Sequence, residues 1–225
     1  MQQFLTILAL VTMAAICIQP VSAGDDEATT YYNIGQQAIA NGAYEKALEY
    51  FDKVLASNTT LLGMGDGLMY TYKDKSGVLT ELGRYDDALK TANDGIVLYP
   101  KSAGLWNNKG YALYKMGKYS DAADAYTKSV ELDPTYIKGW INKGNALVKA
   151  GRSSDAVAAY SKALELDPRN TDATAGLADA KKSADSTLIF YGLIAVIAIG
   201  AIILFVRVRN GKEEAKPAGK GKEKK

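Results

Sequence analysis

The stretch WNNKGYALYKMGKYSDAADAYTKSVELDP, residues 106–134, is followed by WINKGNALVKAGRSSDAVAAYSKALELDP, residues 140–168. Both stretches carry tryptophan, glycine, alanine, tyrosine and proline at equivalent places. Each contains a glycine that opens a similar segment, GKYSDAA from Gly117 and GRSSDAV from Gly151, and related segments start at Gly42 and Gly83. The last three of these glycines are evenly spaced, and the first interval is longer by seven. A period of about 34 residues, here with one insertion, is typical of a stacked helical repeat.

The occupied positions resemble the tetratricopeptide repeat, whose pattern is W-x2-L-G-x2-Y…A-x3-F…P. Four copies run in phase over residues 28–170. The third holds Trp106, Lys109, Gly110, Leu113, Ala122, Tyr126 and Pro134, and the fourth holds Trp140, Lys143, Gly144, Leu147, Ala156, Tyr160 and Pro168. The first holds Tyr31, Ile34, Gly35, Ala38, Ala47, Phe51 and Thr59, and the second holds Tyr72, Lys75, Ser76, Leu79, Ala88, Ala92 and Pro100. The resemblance implies an all-α fold, a right-handed superhelical solenoid of helix-turn-helix pairs.

Each recurring residue type has a physical reason. A glycine such as Gly110 lets the two helices of a repeat approach closely, and Gly117 ends the first helix in a left-handed cap. Pro134 ends the second helix and sets the direction of the next repeat. The second copy departs from the pattern at Ser76 and Ala92, so we expect it to be the least stable repeat or to have a shifted boundary.

Two apolar segments lie outside the repeats. Residues 1–23 end in Val-Ser-Ala after an uncharged run, which predicts a signal peptide cleaved after Ala23, with an uncleaved anchor as the alternative. Residues 187–206 hold no charge and would span about 30 Å as a helix, the thickness of a bilayer core. Arg207 and Arg209 follow at once, so the positive-inside rule places the C-terminus in the cytoplasm and the repeats outside.

The predicted organisation follows from these segments. It runs as a signal peptide at 1–23, an acidic linker at 24–27, repeat 1 at 28–61, a glycine-rich insertion at 62–68, repeat 2 at 69–102, repeat 3 at 103–136, repeat 4 at 137–170, a capping helix at 171–186, a transmembrane helix at 187–206 and a basic tail at 207–225. We expect the tail to be disordered and the insertion to form an extended loop. An anion-binding glycine loop is the alternative for the insertion.

Composition excludes several classes of function. The chain has no histidine and a single cysteine, Cys17, so imidazole-assisted nucleophiles, His/Cys zinc sites and internal disulfides are ruled out. No phosphate-binding G-x-x-x-x-G-K-[ST] loop occurs. Residues 24–186 carry a net charge of −3 and residues 207–225 one of +5, so the basic excess belongs to the tail. We expect no enzyme activity, no cofactor, no metal and no nucleic-acid partner.

The resemblance implies that the first helices of the repeats line a concave groove. Asparagines at one repeated position can donate to and accept from an extended peptide backbone, while lysines can select an acidic partner. The asparagines could instead stabilise helix ends. The complete Lys/Asn/Lys/Arg set with which relatives clamp a peptide carboxylate is absent. The candidate groove residues are Tyr32, Asn33, Gln36, Tyr70, Lys73, Asn107, Asn108, Tyr111, Lys115, Lys138, Asn142, Asn145 and Lys149.

These features predict a non-catalytic scaffold, held outside the cytoplasmic membrane by residues 187–206, that binds an unidentified protein or peptide in its groove. The alternative is a structural or assembly factor of the cell envelope that acts by self-association or through surface contacts. Asn58, in an Asn-Thr-Thr sequon, is a candidate glycosylation site on the extracellular side.

Overall fold

The structure, a computed structural model, describes residues 23–57 and 67–214. This part of the chain is helical with short turns. Its helices are α1 (Ala23–Ala40), α2 (Tyr44–Ala56), α3 (Gly67–Glu81), α4 (Tyr85–Leu98), α5 (Ala103–Lys115), α6 (Tyr119–Leu132), α7 (Ile137–Lys149), α8 (Ser153–Leu166) and α9 (Thr171–Glu214). The predicted all-α solenoid of helix pairs is confirmed.

The helices form two layers because each one packs against the next in the chain, and alternate helices also meet. The first helices of successive repeats contact one another: α3 touches α5, α5 touches α7, and α7 touches α9. They therefore make a continuous inner layer, against which the second helices pack. The first half of α9 occupies the place of a further first helix and covers the apolar side of α8, as the last seam of a solenoid requires.

The turns inside the four repeats are alike, because a glycine with positive φ closes each of them. Gly42, Gly83, Gly117 and Gly151 have φ between 70° and 77°. In the third repeat the Lys118 amide donates to the Leu113 carbonyl over 3.0 Å, the bond of a Schellman cap, and the other three turns repeat it. The predicted left-handed caps are therefore present.

The links before the third and fourth repeats are held by tryptophan. The indole Nε1 of Trp106 donates to the Pro100 carbonyl over 3.0 Å, and that of Trp140 donates to the Pro134 carbonyl over 2.9 Å. Before the proline, Asp133 is extended with φ −136°, which ends α6 as the steric rule for pre-proline residues predicts. The two tryptophans thus fix the entry of the first helices of the third and fourth repeats, and they also pack in the seam.

Inside the first, third and fourth repeats, the ring of the second helix lies directly on a glycine of the first helix. A Cβ built on Gly110 would lie 2.8 Å from the Tyr126 ring, and one built on Gly144 would lie 2.7 Å from the Tyr160 ring. In the second repeat a different pair, serine at position 76 and alanine at position 92, takes these places, and both are fully buried. The larger residue on the first helix thus accompanies the smaller residue on the second.

Several predicted boundaries differ from the structure. The acidic residues 24–27 belong to α1 rather than to a linker, since carboxylates favour the positive N-terminal end of a helix. Gly67 and Leu68, predicted as loop, form the start of α3. Asn170, one residue before the predicted start of the capping helix, caps α9 through its Oδ1, which accepts from the Ala173 amide over 3.0 Å. Residues 207–214 of the predicted disordered tail continue α9.

Three predictions fall outside the described residues. They are the signal peptide up to residue 22, the sequon at Asn58 and the glycine-rich insertion from 62 to 66.

One helix among the described residues is long and apolar enough to cross a membrane. It runs over Thr171–Arg207, its most apolar window has a mean hydropathy of 2.9, and none of that window is buried. Leu188, Ile197 and Leu204 are 70%, 62% and 63% exposed. The helix is continuous with the segment that covers α8, because α9 runs unbroken from Thr171 to Glu214.

Candidate functional site

A cavity of about 510 Å³ with a mixed polar and apolar wall opens on the inner layer, between the first helices of repeats 2, 3 and 4. Six of the thirteen predicted groove residues line it: Lys73, Asn107, Asn108, Tyr111, Lys138 and Asn142. They come from α3, α5 and α7, which the sequence period places side by side. Ile39 and Val78 add apolar surface to the same cavity.

The asparagines of this cavity form a chain of hydrogen bonds from one repeat to the next. Nδ2 of Asn108 donates to the Lys73 carbonyl over 2.6 Å and to Oγ of Ser76 over 3.2 Å. Nδ2 of Asn142 donates over 2.9 Å to Oδ1 of Asn107, which is only 5% exposed. The amides therefore join neighbouring first helices, and this part of their bonding capacity is already used inside the solenoid.

Alanine at position 108 should therefore cost stability even without a ligand. We expect Asn108→Ala to lower the free energy of unfolding by about 1–2 kcal/mol, since two donor bonds are lost inside the solenoid. Asn33 fills the same repeat position but is exposed, so Asn33→Ala should change stability by less than about 0.5 kcal/mol. Chemical denaturation followed by tryptophan fluorescence measures both, and equal effects would contradict the structural role of Asn108.

An acidic residue of α3, Asp74, belongs to the wall of the cavity and is held from three sides. The hydroxyl of Tyr32 donates to its carboxylate over 2.7 Å, and Nε2 of Gln36 donates to the same group. The Lys73 ammonium pairs with it at 3.3 Å. This acid is therefore engaged within the fold.

Two tyrosines that donate to acids of α3 stay protonated. The pKa of Tyr32 is raised mainly by burial and to a smaller extent by the hydrogen bond to Asp74. The hydroxyl of Tyr111 donates to Glu81, the second acid of the cavity wall, over 2.9 Å. The pKa of Tyr111 is raised mainly by burial and to a smaller extent by this hydrogen bond. Each hydroxyl therefore remains a donor to its carboxylate at neutral pH.

A second cavity of about 860 Å³ continues the groove toward the C-terminus, between α7 and the start of α9. Four predicted residues line it, namely Lys138, Asn142, Asn145 and Lys149. The hydroxyl of Tyr160 donates to Oδ1 of Asn145 over 2.6 Å, and burial raises the pKa of this tyrosine to about 12. Asp172 and Asp179 of α9 form the opposite wall.

Five predicted groove residues line neither of these two cavities. Tyr32 and Gln36 act through Asp74, as described above. The exposed Tyr70 carries the Lys73 ammonium 4.9 Å from its ring centre, and the Lys115 ammonium lies 5.3 Å from the ring centre of Tyr111. Asn33 is exposed on α1.

The acidic residues of the groove were missed from the sequence, although the repeat period points to them. Asp74 stands one full repeat period before Asn108, and Glu81 stands one period before Lys115. On α9, Asp172 stands one period after Lys138. Extending the asparagine and lysine positions through every copy would have found these carboxylates.

Within residues 23–57 and 67–214, no group of three or more acidic, histidine or cysteine residues could hold a metal ion. The amides, lysines and hydroxyls of the two cavities supply donors and acceptors of hydrogen bonds.

Two sequence profiles of one protein family match this chain. A sequence profile described as Tetratricopeptide repeat matches residues 103–136 and 137–170, and another with the same description matches residues 26–101. Together these matches cover more than half of the chain. Comparison with curated protein sequences gave no match.

Solved structures share the fold. The first TPR of Spaghetti (RPAP3), bound to the HSP90 peptide SRMEEVD, matches with a TM-score of 0.50 at 25% identity over 52% of this chain and 93% of that one. MamA 41-end from Desulfovibrio magneticus RS-1 matches with a TM-score of 0.61 at 20% identity over 85% and 98%. A crystal structure of MamA protein gives 0.58 at 18% identity over 87% and 99%. At these identities the MamA likeness concerns the fold alone.

Proposed function

Because this chain belongs to the tetratricopeptide repeat family, whose repeats are protein-interaction modules, we propose that its groove binds a peptide or an exposed segment of a protein. The role is non-catalytic, since the family fold generally serves as an interaction scaffold. The observation that carries the proposal is the cavity shared by α3, α5 and α7. It combines backbone-matching amides with charged side chains on three successive helices.

One cation of this cavity is available to an acidic partner. Tyrosine hydroxyls donate to Asp74 and Glu81, and Lys73 pairs with Asp74. Lys138 makes no ion pair among the described residues, so a carboxylate of the partner can pair with it. The HSP90 peptide SRMEEVD held by the RPAP3 domain is also rich in acidic residues.

A pull-down tests the proposal with the full chain in lipid nanodiscs, followed by identification of the proteins retained. For a retained partner, Lys73→Ala/Lys138→Ala should weaken binding at least tenfold and flatten its salt dependence, because both removed cations line the cavity. Lys115→Ala is the matched control, since Lys115 lines neither cavity, and it should bind within twofold of the unchanged protein. Equal affinities for the two variants would refute binding in this cavity.

We also propose that residues 187–206 anchor the protein in a membrane, with the repeats on the extracytoplasmic side. The exposed apolar surface along this part of α9 and its length of about 30 Å support the anchoring. Arg207 and Arg209 beyond it support the orientation. In this arrangement, residues 28–170 form the four repeats, residues 171–186 form the cap, and Asn58 is available to glycosylating enzymes.

Protease added to intact cells tests this topology. We expect cleavage within residues 24–186 and protection of the basic tail, detected with one antibody against each part. Disruption of the membrane should expose the tail as a positive control. Protection of the repeats together with cleavage of the tail would reverse the orientation.

Self-association is the competing function. Multi-angle light scattering of the nanodisc-free protein in detergent, at several concentrations, separates the two. A concentration-dependent mass, combined with no retained partner, would favour an assembly factor over a peptide-binding scaffold.

A further inference from the structure

The second cavity has two walls of opposite charge. On α7, Lys138 and Lys149 are eleven residues apart, and on α9, Asp172 and Asp179 are seven residues apart. Both spacings are close to whole numbers of helical turns, so each pair lies on one face, about 16 Å and about 10 Å apart along its helix. None of the four forms an ion pair within the residues that the structure describes. The cavity therefore offers unneutralised cations on one side and unneutralised anions on the other.

Two amides line the α7 side between the lysines. Nδ2 of Asn142 is bonded to Asn107, and Oδ1 of Asn145 is bonded to Tyr160. Their other polar atoms, Oδ1 of Asn142 and Nδ2 of Asn145, have no partner among the described residues. One acceptor and one donor are thus left for the backbone of a peptide. A strand advances about 3.3 Å per residue, so five or six residues cover the span between the two lysines.

This cavity lies close to the level at which α9 becomes apolar. Oγ of Ser153, at the start of α8, lies 2.9 Å from Oγ of Ser183 on α9. Leu188, the first large exposed apolar residue, follows five residues later, about 8 Å along the helix. Asp179 is nine residues, or about 13 Å, from Leu188. A headgroup layer is about 5–7 Å deep, so the near end of the cavity lies within one or two helical turns of the lipid headgroups.

We infer that the second cavity binds an extended juxtamembrane segment of a protein embedded in the same membrane, with acidic side chains on one face and basic side chains on the opposite face. Successive side chains of an extended peptide point to opposite faces of its backbone, so alternating acidic and basic residues would meet the lysine wall and the aspartate wall together. An anionic lipid headgroup fits less well, because Asp172 and Asp179 would repel it. The inference rests on the proposed function of the groove and on the anchoring.

The test uses the full chain in nanodiscs of phosphatidylcholine. The probe is the hexapeptide Glu-Lys-Glu-Lys-Glu-Lys, carried by a palmitoyl anchor and a three-residue Gly/Ser linker. The control is Glu-Glu-Glu-Lys-Lys-Lys on the same anchor, which has the same composition and net charge but does not place its acids and bases on opposite faces of the extended peptide. We expect the alternating peptide to bind at least tenfold more tightly, as measured by fluorescence transfer from the tryptophans to a labelled peptide.

Two further comparisons locate the binding. Asp172→Lys/Asp179→Lys should abolish the preference for the alternating peptide and favour an all-glutamate hexapeptide, because both walls are then basic. Lengthening the linker to forty residues should weaken apparent binding at least threefold, since the peptide then spends less time near the membrane. Equal binding of the two isomers, tighter binding with the long linker, or loss of peptide binding in phosphatidylglycerol nanodiscs would each overturn the inference.

The proposed function and this inference can fail independently of each other. A partner retained in the pull-down whose binding depends on Lys73, which lines only the first cavity, would leave that function standing even if the hexapeptides bind alike. If no partner is retained but the hexapeptides bind selectively, the inference about the second cavity stands and the proposed function of the groove is not supported.

Discussion

Leucine in place of Gly110 should lower the free energy of unfolding by about 3 kcal/mol, because the first and second helices of the third repeat touch at this residue. Even the Cβ of the new side chain would lie 2.8 Å from the Tyr126 ring, which is only 1% exposed and has nowhere to move. Overpacking of a dense core forces side chains out of their rotamers or shifts the backbone. Chemical denaturation of the detergent-solubilised chain, followed by tryptophan fluorescence, reports on this repeat through Trp106 and on the next one through Trp140.

A pair of alanine variants provides the control for this prediction. A Cβ on Gly77, also inside a first helix, would meet only Nδ2 of Asn108 at 3.5 Å, an ordinary contact. Gly77→Ala should therefore stabilise α3 by up to about 1 kcal/mol through helix propensity, whereas Gly110→Ala should destabilise the third repeat. Stabilisation by both alanines would show that Gly110 is not needed for close approach.

Alanine in place of Tyr160 should destabilise the chain by about 3–5 kcal/mol, because one ring serves two interfaces. The ring packs on Gly144 of α7 and on Gly176 of α9, and it is 2% exposed. Its removal leaves a cavity between the last repeat and the helix that covers it. Hydrogen exchange should accordingly show faster opening of α9 near Gly176 as well as a lower midpoint of denaturation.

Phenylalanine at the same position separates packing from hydrogen bonding. Tyr160→Phe keeps the ring and loses the bond to Asn145, so it should cost about 1 kcal/mol and leave exchange in α9 nearly unchanged. If Tyr160→Phe lowered the free energy of unfolding as much as Tyr160→Ala, the hydroxyl of Tyr160 and not its ring would be the stabilising group.

The repeat period predicted the fold because it constrains residues that meet at short range. Each turn requires a residue with positive φ, and each position opposite a ring has no room for a side chain. Glycine meets both requirements, so both kinds of position can be recognised in the sequence. Helix ends were less predictable. Gly67 looked like loop by propensity, yet it stands at the beginning of α3, where a glycine costs little.

The candidate site was harder to predict because its chemistry depends on contacts between repeats. Asn108 and Asn142 were expected to face a ligand, and the structure shows that each also bonds the preceding repeat. Asp74 was not predicted from the sequence, because its role depends on hydrogen bonds from Tyr32 and Gln36, which lie in the preceding repeat. The repeat period points to Asp74 as a position, but its hydrogen bonds are seen only when the helices are placed side by side.

The unbroken course of α9 from the solenoid into its apolar segment has a consequence for how partners are met. A flexible tether of fifteen residues would let the repeats wander over about 20 Å and point in any direction. Continuous helix removes that freedom, so, with residues 187–206 anchored in a membrane as proposed, the orientation of the groove would follow that of α9. A partner in the same membrane, as inferred above, would then lose two translations and one rotation on binding, which would make the search effectively two-dimensional.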